Sequence, residues 1–226
     1  MAREYATLER LGQRRVDRTA WLRGGESPWL QALHAITDVK PRRVLDAGCG
    51  AGEFASLIGA PVVVAVDLSL AAVELARSRG LQACRADLQR LPFGGEQFDA
   101  VTCNWVLYHV PVRDRAISEL SRVLRPGGRF VGAYNASDHM HELWSAIGHF
   151  WPEDDQFDCE NAPADLARHF ARVQGRSVRA EAMWKTRESL QTYLDAHAEL
   201  AGPLQAPEGP YPFRTTRHNC VIVAYK

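Results

Sequence analysis

The sequence predicts an α/β protein built on a doubly wound, mostly parallel sheet, and three observations carry the prediction. From about residue 42 onward, short apolar runs alternate with segments of helical period. The run PVVVAVD (61–67) is apolar at successive positions and ends in an acid, as a parallel strand covered on both faces requires. The turns between the segments are short, and several are marked by glycine or proline, which fits direct strand-to-helix crossovers.

The elements follow in order. Residues 3–38 read as helical, interrupted by Gly24-Gly25, with Ser27-Pro28 as an N-cap and first turn. RRVLDAG (42–48) is a strand running into a glycine-rich turn, and EFASLIGA (53–60) is the helix after it. After PVVVAVD come the helix LSLAAVELARSRG, closed by Gly80, a short strand around LQACRAD, and a fourth strand, FDAVTCN. In the next helix Val112, Ala116, Leu120 and Val123 share one apolar face. Pro126-Gly127-Gly128 ends it and turns into RFVGAYN. Residues 138–200 read as helix, loop and helix around a strand near 172–184, and the last strand covers about 217–225. These late strands pair across the 186–201 helix as an antiparallel edge. The expected organisation is a helical N-terminal cap or lid over 1–38 and a main domain over 39–226 with a helical insertion around 137–170.

The chain has 226 residues, 46% hydrophobic and 24% charged, with 27 basic and 27 acidic side chains. At roughly 150 residues per domain this is one domain with an appendage. A mean hydropathy of -0.27 argues against a disordered chain. No apolar run nears the roughly 20 residues of a membrane span, and the charged start, MAREYATLER, does not suit a signal peptide. The zero net charge gives no support to a nucleic-acid partner. Five cysteines lie at irregular spacing without a CxxC pair, which fits free thiols in a reducing cytoplasm.

The chemistry concentrates at the first strand-to-helix turn, Asp46-Ala47-Gly48-Cys49-Gly50-Ala51-Gly52. Asp67 ends the second strand, 21 positions after Asp46. Glycines let the backbone approach a ligand closely, and an acid at the end of strand two can accept both hydroxyls of a ribose. A nicotinamide fingerprint would have glycine at 53, where Glu53 stands, and the Gly-Lys-Ser/Thr of a phosphate-binding loop is absent. An acid before the turn suits a ligand bearing an amino group.

Through VLDAGCGAGEF, VVVAVDLS, ADLQRLPF, FDAVTCNWVLYHV and LRPGGRFV, in that order over about residues 42–135, the chain resembles the class I S-adenosylmethionine-dependent methyltransferases, with small bacterial members related to quinone-pathway enzymes among the most similar. The resemblance implies a seven-stranded sheet of the Rossmann-like methyltransferase type, with S-adenosylmethionine across the carboxyl ends of strands one to four. Carried over by position, it implies that the Gly48–Gly52 turn, including Gly50, passes the methionine and ribose, with Asp46 near the amino group. Asp67 would take the ribose hydroxyls and Leu68 would pack on the adenine. Asp87 would face the adenine amino group, Leu88 its ring, and Asn104 the region beneath the methionine. It further implies transfer of a methyl group to an oxygen or nitrogen of a small molecule, with natural-product or sugar metabolism as the setting. The enzyme would be cytoplasmic, a monomer or homodimer, with no nucleic acid or membrane as partner. An RNA or protein methyltransferase and a non-methylating cofactor-binding protein stay open as alternatives.

Asn104-Trp105-Val106-Leu107 replaces the Asn-Pro-Pro-Tyr motif of enzymes acting on DNA or protein nitrogens, and Cys103 follows Thr102 rather than proline, so a covalent cytosine mechanism is not indicated. A hydroxyl acceptor would benefit from a base, which should lie past the carboxyl ends of strands four and five. Tyr108, His109, Asp138, His139 and His141 occupy those positions, with His139 and then His109 as the catalytic candidates. Asp138 would otherwise cap a helix beginning there. No resident metal is expected, although Asp138, His139 or Glu142 could hold a divalent ion that activates a vicinal diol. Arg10, Arg14 and Arg18 share a helix face that is either a solvated stripe or a lid whose Arg14 meets the cofactor carboxylate or an anionic substrate.

Overall fold

The computed structural model describes residues 21–24, 27–149, 157–197 and 202–226. The arginine stripe with Arg14, and the N-terminal lid apart from those residues, lie outside this set. In chain order the elements are β1 (Trp21–Arg23), α1 (Pro28–Thr37), β2 (Arg43–Ala47), β3 (Val62–Asp67), α2 (Leu70–Ser78), β4 (Gln82–Arg85), β5 (Phe98–Thr102), α3 (Arg113–Val123), β6 (Leu124–Asn135), α4 (His141–Ala146), α5 (Ala162–Leu166), β7 (Arg172–Trp184), α6 (Arg187–Asp195) and β8 (Phe213–Tyr225).

The chain divides into two compact units. The larger comprises Ser27–Ser137, Asp155–Ser177 and Asn219–Lys226. Its strand order is β7-β8-β6-β5-β2-β3-β4, the seven-stranded mixed sheet that the family resemblance implies. β2 pairs in parallel with β3 and β5, β3 with β4, and β5 with β6, whereas β8 runs antiparallel to β6 from Arg129↔Tyr225 to Asn135↔Asn219. Alternate residues of the central strands feed opposite faces. Leu45, Val101 and Phe130 join Ile117 and Leu120 of α3 on one side, and Val44, Ala100 and Val131 join Ala32 and Ile36 of α1 on the other. Each fully buried Val, Leu, Ile or Phe among them contributes about 1.5–3 kcal/mol. Both faces are therefore covered, which is why these strands read as continuous apolar runs.

The smaller unit comprises Met1–Glu26, Asp138–Asp154 and Val178–His218. In it β1 pairs antiparallel with β7, Leu22 opposite Ala182. Its core holds Met140, Leu143 and Trp144 against Ala182, Trp184, Leu190, Tyr193 and Leu194. Thr186 caps α6 by accepting the Ser189 amide.

Several expectations are corrected. Trp21–Arg23 is a strand, not part of an N-terminal helix. EFASLIGA forms only a 3-10 turn at Ala55–Leu57, because left-handed Gly52 precedes it and Gly59 and Pro61 close it before an α-helix can propagate. The helix expected to begin at 138 begins at His141 after a left-handed Met140, so Asp138 is not its cap. Pro126-Gly127-Gly128 lies within β6, which starts at Leu124 with an irregular register against β5. Finally, Cys159 and Cys220 are joined in a disulfide, leaving Cys49, Cys84 and Cys103 as the free thiols.

Candidate functional site

The strand order of the larger unit reverses at β2, which lies between β3 and β5. In open α/β sheets ligands settle outside the carboxyl ends of the strands at such a point. Asp46, Asp67 and Thr102 come to this edge in register: Asp46 pairs with Ala65 and Thr102, and Asp67 ends β3 beside Arg85.

The turn after β2 is held by Val66, whose carbonyl accepts the amides of Gly48 and Cys49 at 2.8 and 2.9 Å. Gly48 has φ +78°, and a Cβ there would come within 2.4 Å of the Val106 side chain, so the turn admits only glycine at this point. Gly50, at φ +51°, faces open space. Its amide donates to Asp67 Oδ2 at 2.8 Å, while Asp67 Oδ1 accepts the Ser69 amide at 2.9 Å. Asp67 is thereby oriented by backbone donors with lone pairs to spare. Burial raises its pKa against the pull of those amides.

Asp46 is 2% exposed, and its Oδ2 is buried without a hydrogen-bond partner. Burial first, and then the nearby charge of Asp67, push its pKa up to about 7 despite a hydrogen bond from the Ala55 amide. An orphaned buried carboxylate oxygen is costly unless a donor completes it. The donor it lacks is the kind a ligand ammonium supplies. Burial likewise raises the Cys49 and Cys103 thiols, so neither is an available nucleophile.

Around this edge, Leu68 is 54% exposed and offers an apolar surface. Leu88 is buried in the core cluster with Leu91 and Phe98. Asp87 is exposed and accepts the Gln89 amide at 2.9 Å, which shapes the loop after β4. Asn104 ties strand ends together: its Nδ2 donates to Thr102 Oγ1 and its Oδ1 accepts the Ala133 amide. Left-handed Trp105 donates from its indole to Asn135 Oδ1, which also accepts from Asn219 Nδ2 at 2.7 Å. Asn135 and Asn219 were not legible as partners, being 84 positions apart. His109 ends the 3-10 turn after β5, half-buried, its ring 4.3 Å from that of Tyr108.

Residues 45–132 match the family described as "Methyltransferase domain". This segment is similar to methyltransferase domains and makes up less than half of the chain. It is 35% identical over 117 residues to the demethylmenaquinone methyltransferase of Symbiobacterium thermophilum, covering 46% of this chain and 47% of that protein. It is also 35% identical over 107 residues to the human probable tRNA methyltransferase 9B, covering 46% of this chain and 24% of that protein. The chain thus spans less than half the length of these curated relatives. In fold it is similar to the YcgJ protein from Bacillus subtilis, with a TM-score of 0.63 at 17% identity over 87% of this chain and 98% of that one.

The larger unit carries all the described cofactor candidates, whereas His139 belongs to the smaller unit. There His139 Nδ1 lies 2.8 Å from the His218 carbonyl oxygen and 3.2 Å from the His218 amide nitrogen. Burial, reinforced by the Arg217 charge, pushes its pKa down to about 3. Asp138 pairs with His218 Nδ1 and with Arg179, and these partners hold its carboxyl low against the effect of burial. Glu142 accepts from Thr215 Oγ1 and from the amide and hydroxyl of Thr216. These hydrogen bonds outweigh burial and bring its pKa to about 2. The Asp138–His218 pair bridges 80 positions and was invisible in the sequence. Among the described residues no group of three or more His, Cys, Asp or Glu side chains could hold a metal ion, and no helix is long and apolar enough to cross a membrane.

Proposed function

We propose that the chain binds S-adenosylmethionine at the carboxyl ends of β2–β5 and transfers its methyl group to an oxygen or nitrogen of a small molecule. The orphaned Oδ2 of Asp46 carries this reading, because a buried carboxylate beside a glycine turn calls for a cationic amino group. Asp46 would hold the amino group, Asp67 the ribose hydroxyls, Leu68 the adenine face and Asp87 the adenine amino group, with the glycine turn alongside and Asn104 bracing its floor. When bound, the cofactor supplies an electrophilic methyl group on a sulfonium sulfur. The chain's share is then to align the acceptor and exclude water, worth up to roughly 7–11 kcal/mol in well-oriented systems.

A tRNA acceptor is a second reading, favoured by the match to the human relative. Incubation with methyl-labelled cofactor and, separately, a panel of small hydroxyl and amine compounds and total tRNA tests both. Label in a small molecule supports the proposal. Label in tRNA alone overturns the substrate class, and a cofactor that binds without any transfer supports the non-methylating alternative.

For a hydroxyl acceptor we assign the proton to His109. An imidazole with a pKa of about 3, as in His139, is neutral at every working pH and too weak a base to serve well there. His109→Ala is expected to lower the single-turnover rate about 100-fold with cofactor affinity unchanged, and His139→Ala less than about tenfold. The reverse order would return the base to His139.

A further inference from the structure

The larger unit carries a charged cavity at the amino ends of its parallel strands, away from the cofactor edge. It has a volume of about 360 Å³ and is lined by Lys40, Arg42, Asp99, Arg125, Arg129 and Tyr225, among others. Arg42 and Asp99 sit where β2 and β5 begin, so this is the amino edge of the parallel sheet and not the cofactor edge.

Four cations face one carboxylate, and that carboxylate is already committed. Asp99 Oδ2 accepts the amides of Arg42 and Arg43 at 2.9 and 2.8 Å, and Oδ1 takes the Arg125 guanidinium. Among the described residues the Lys40 and Arg42 side chains make no ion pair, and both are exposed. Arg129 is fixed in place: its Nη1 donates to the Ala35 carbonyl at 2.6 Å, and its guanidinium lies 5.3 Å from the Tyr225 ring centroid. Its Nε is nevertheless buried without a hydrogen-bond acceptor. Arg172 lies over the same ring at 4.2 Å and adds positive charge. Lys40 has φ +48°, a left-handed conformation that costs a non-glycine residue energy and fixes where its side chain leaves the backbone.

An uncompensated positive cavity with an orphaned guanidinium donor is complementary to a compact anion with several acceptor oxygens. Guanidinium forks match phosphate geometry, and the volume is at the lower end of small-ligand sites, which run from about 300 Å³. We propose that this cavity binds a phosphate-bearing small molecule, separately from the cofactor site. The inference does not depend on the methyl acceptor.

The test is a titration of isotope-labelled protein with inorganic pyrophosphate at low salt, followed by amide NMR. Saturable shifts are expected at residues 40–43 and 125–129. A Lys40→Gln/Arg42→Gln variant should bind pyrophosphate at least about tenfold more weakly, a loss of about 1.4 kcal/mol. It should remain folded, because Asp99 grips the main-chain amides of Arg42 and Arg43 rather than the side chains removed. A charge-matched control, Arg115→Gln/Arg176→Gln, removes two exposed cations that do not line the cavity and should lose less than about twofold. Its cofactor affinity, like that of the cavity variant, should be unchanged. Absence of shifts overturns the proposal, as does equal weakening in both variants. So does a response confined to a short RNA with none to pyrophosphate, which would mark an extended polyanion surface instead.

Discussion

Replacing Asp67 with alanine is expected to weaken S-adenosylmethionine binding by between about tenfold and a thousandfold. Hydrogen bonds to a charged acceptor are worth about 1.5–3 kcal/mol each, and two ribose hydroxyls would share this carboxylate. The backbone already points the group, through the Gly50 and Ser69 amides, so the ligand need not pay to order it. Removing the carboxylate also frees the Gly50 amide, which lets the turn relax. Calorimetry should therefore show the affinity loss, while circular dichroism shows an intact fold. An unchanged affinity would remove Asp67 from the site.

Asp46→Asn is expected to have opposite effects on stability and on binding. In the unfolded chain this carboxyl titrates at the ordinary 3.8, and in the fold at about 7. Between those values folding takes up a proton. The contribution of the neutral carboxyl is present at low pH and is lost as pH rises through about 7, where the fold must carry a buried charge. The amide carries none. Its stabilisation of the unliganded protein should grow from pH 4 to 7 and level off above, reaching roughly 2–4 kcal/mol. An ammonium needs the carboxylate, however, so the same variant should lose about tenfold or more in cofactor affinity. In the wild type, binding below pH 7 should release a proton, seen as a buffer-dependent heat. A destabilised Asp46→Asn protein, or binding without proton release at pH 6, would contradict this account of Asp46.

The parts of this protein that were legible in the sequence are those whose physics is local. PVVVAVD announced a strand covered on both faces, and Asp46, Gly48, Gly50 and Asp67 announced a ligand edge because they sit at strand ends within 21 positions. The short helix after Gly52 misled because its apolar residues have helical spacing, while the glycines and Pro61 that prevent it lie at its margins. The cysteines misled for a different reason: Cys159 and Cys220 are 61 positions apart, and nothing local marks them as neighbours. The same holds for Asp138 and His218. His139 looked like a good base because its type and position suit one. The burial and the Arg217 charge that lower its pKa are properties of the packed smaller unit. The orphaned oxygen of Asp46 was equally out of reach, since a missing partner is a tertiary fact.

The central claim is that the edge formed by β2–β5 is a cofactor site. A crystal structure with S-adenosylhomocysteine, the product of transfer, tests it most directly. The account predicts density for the ligand with its ribose hydroxyls on Asp67 and its amino group on Asp46 Oδ2. A ligand bound elsewhere, or no ligand at millimolar concentration, would contradict it.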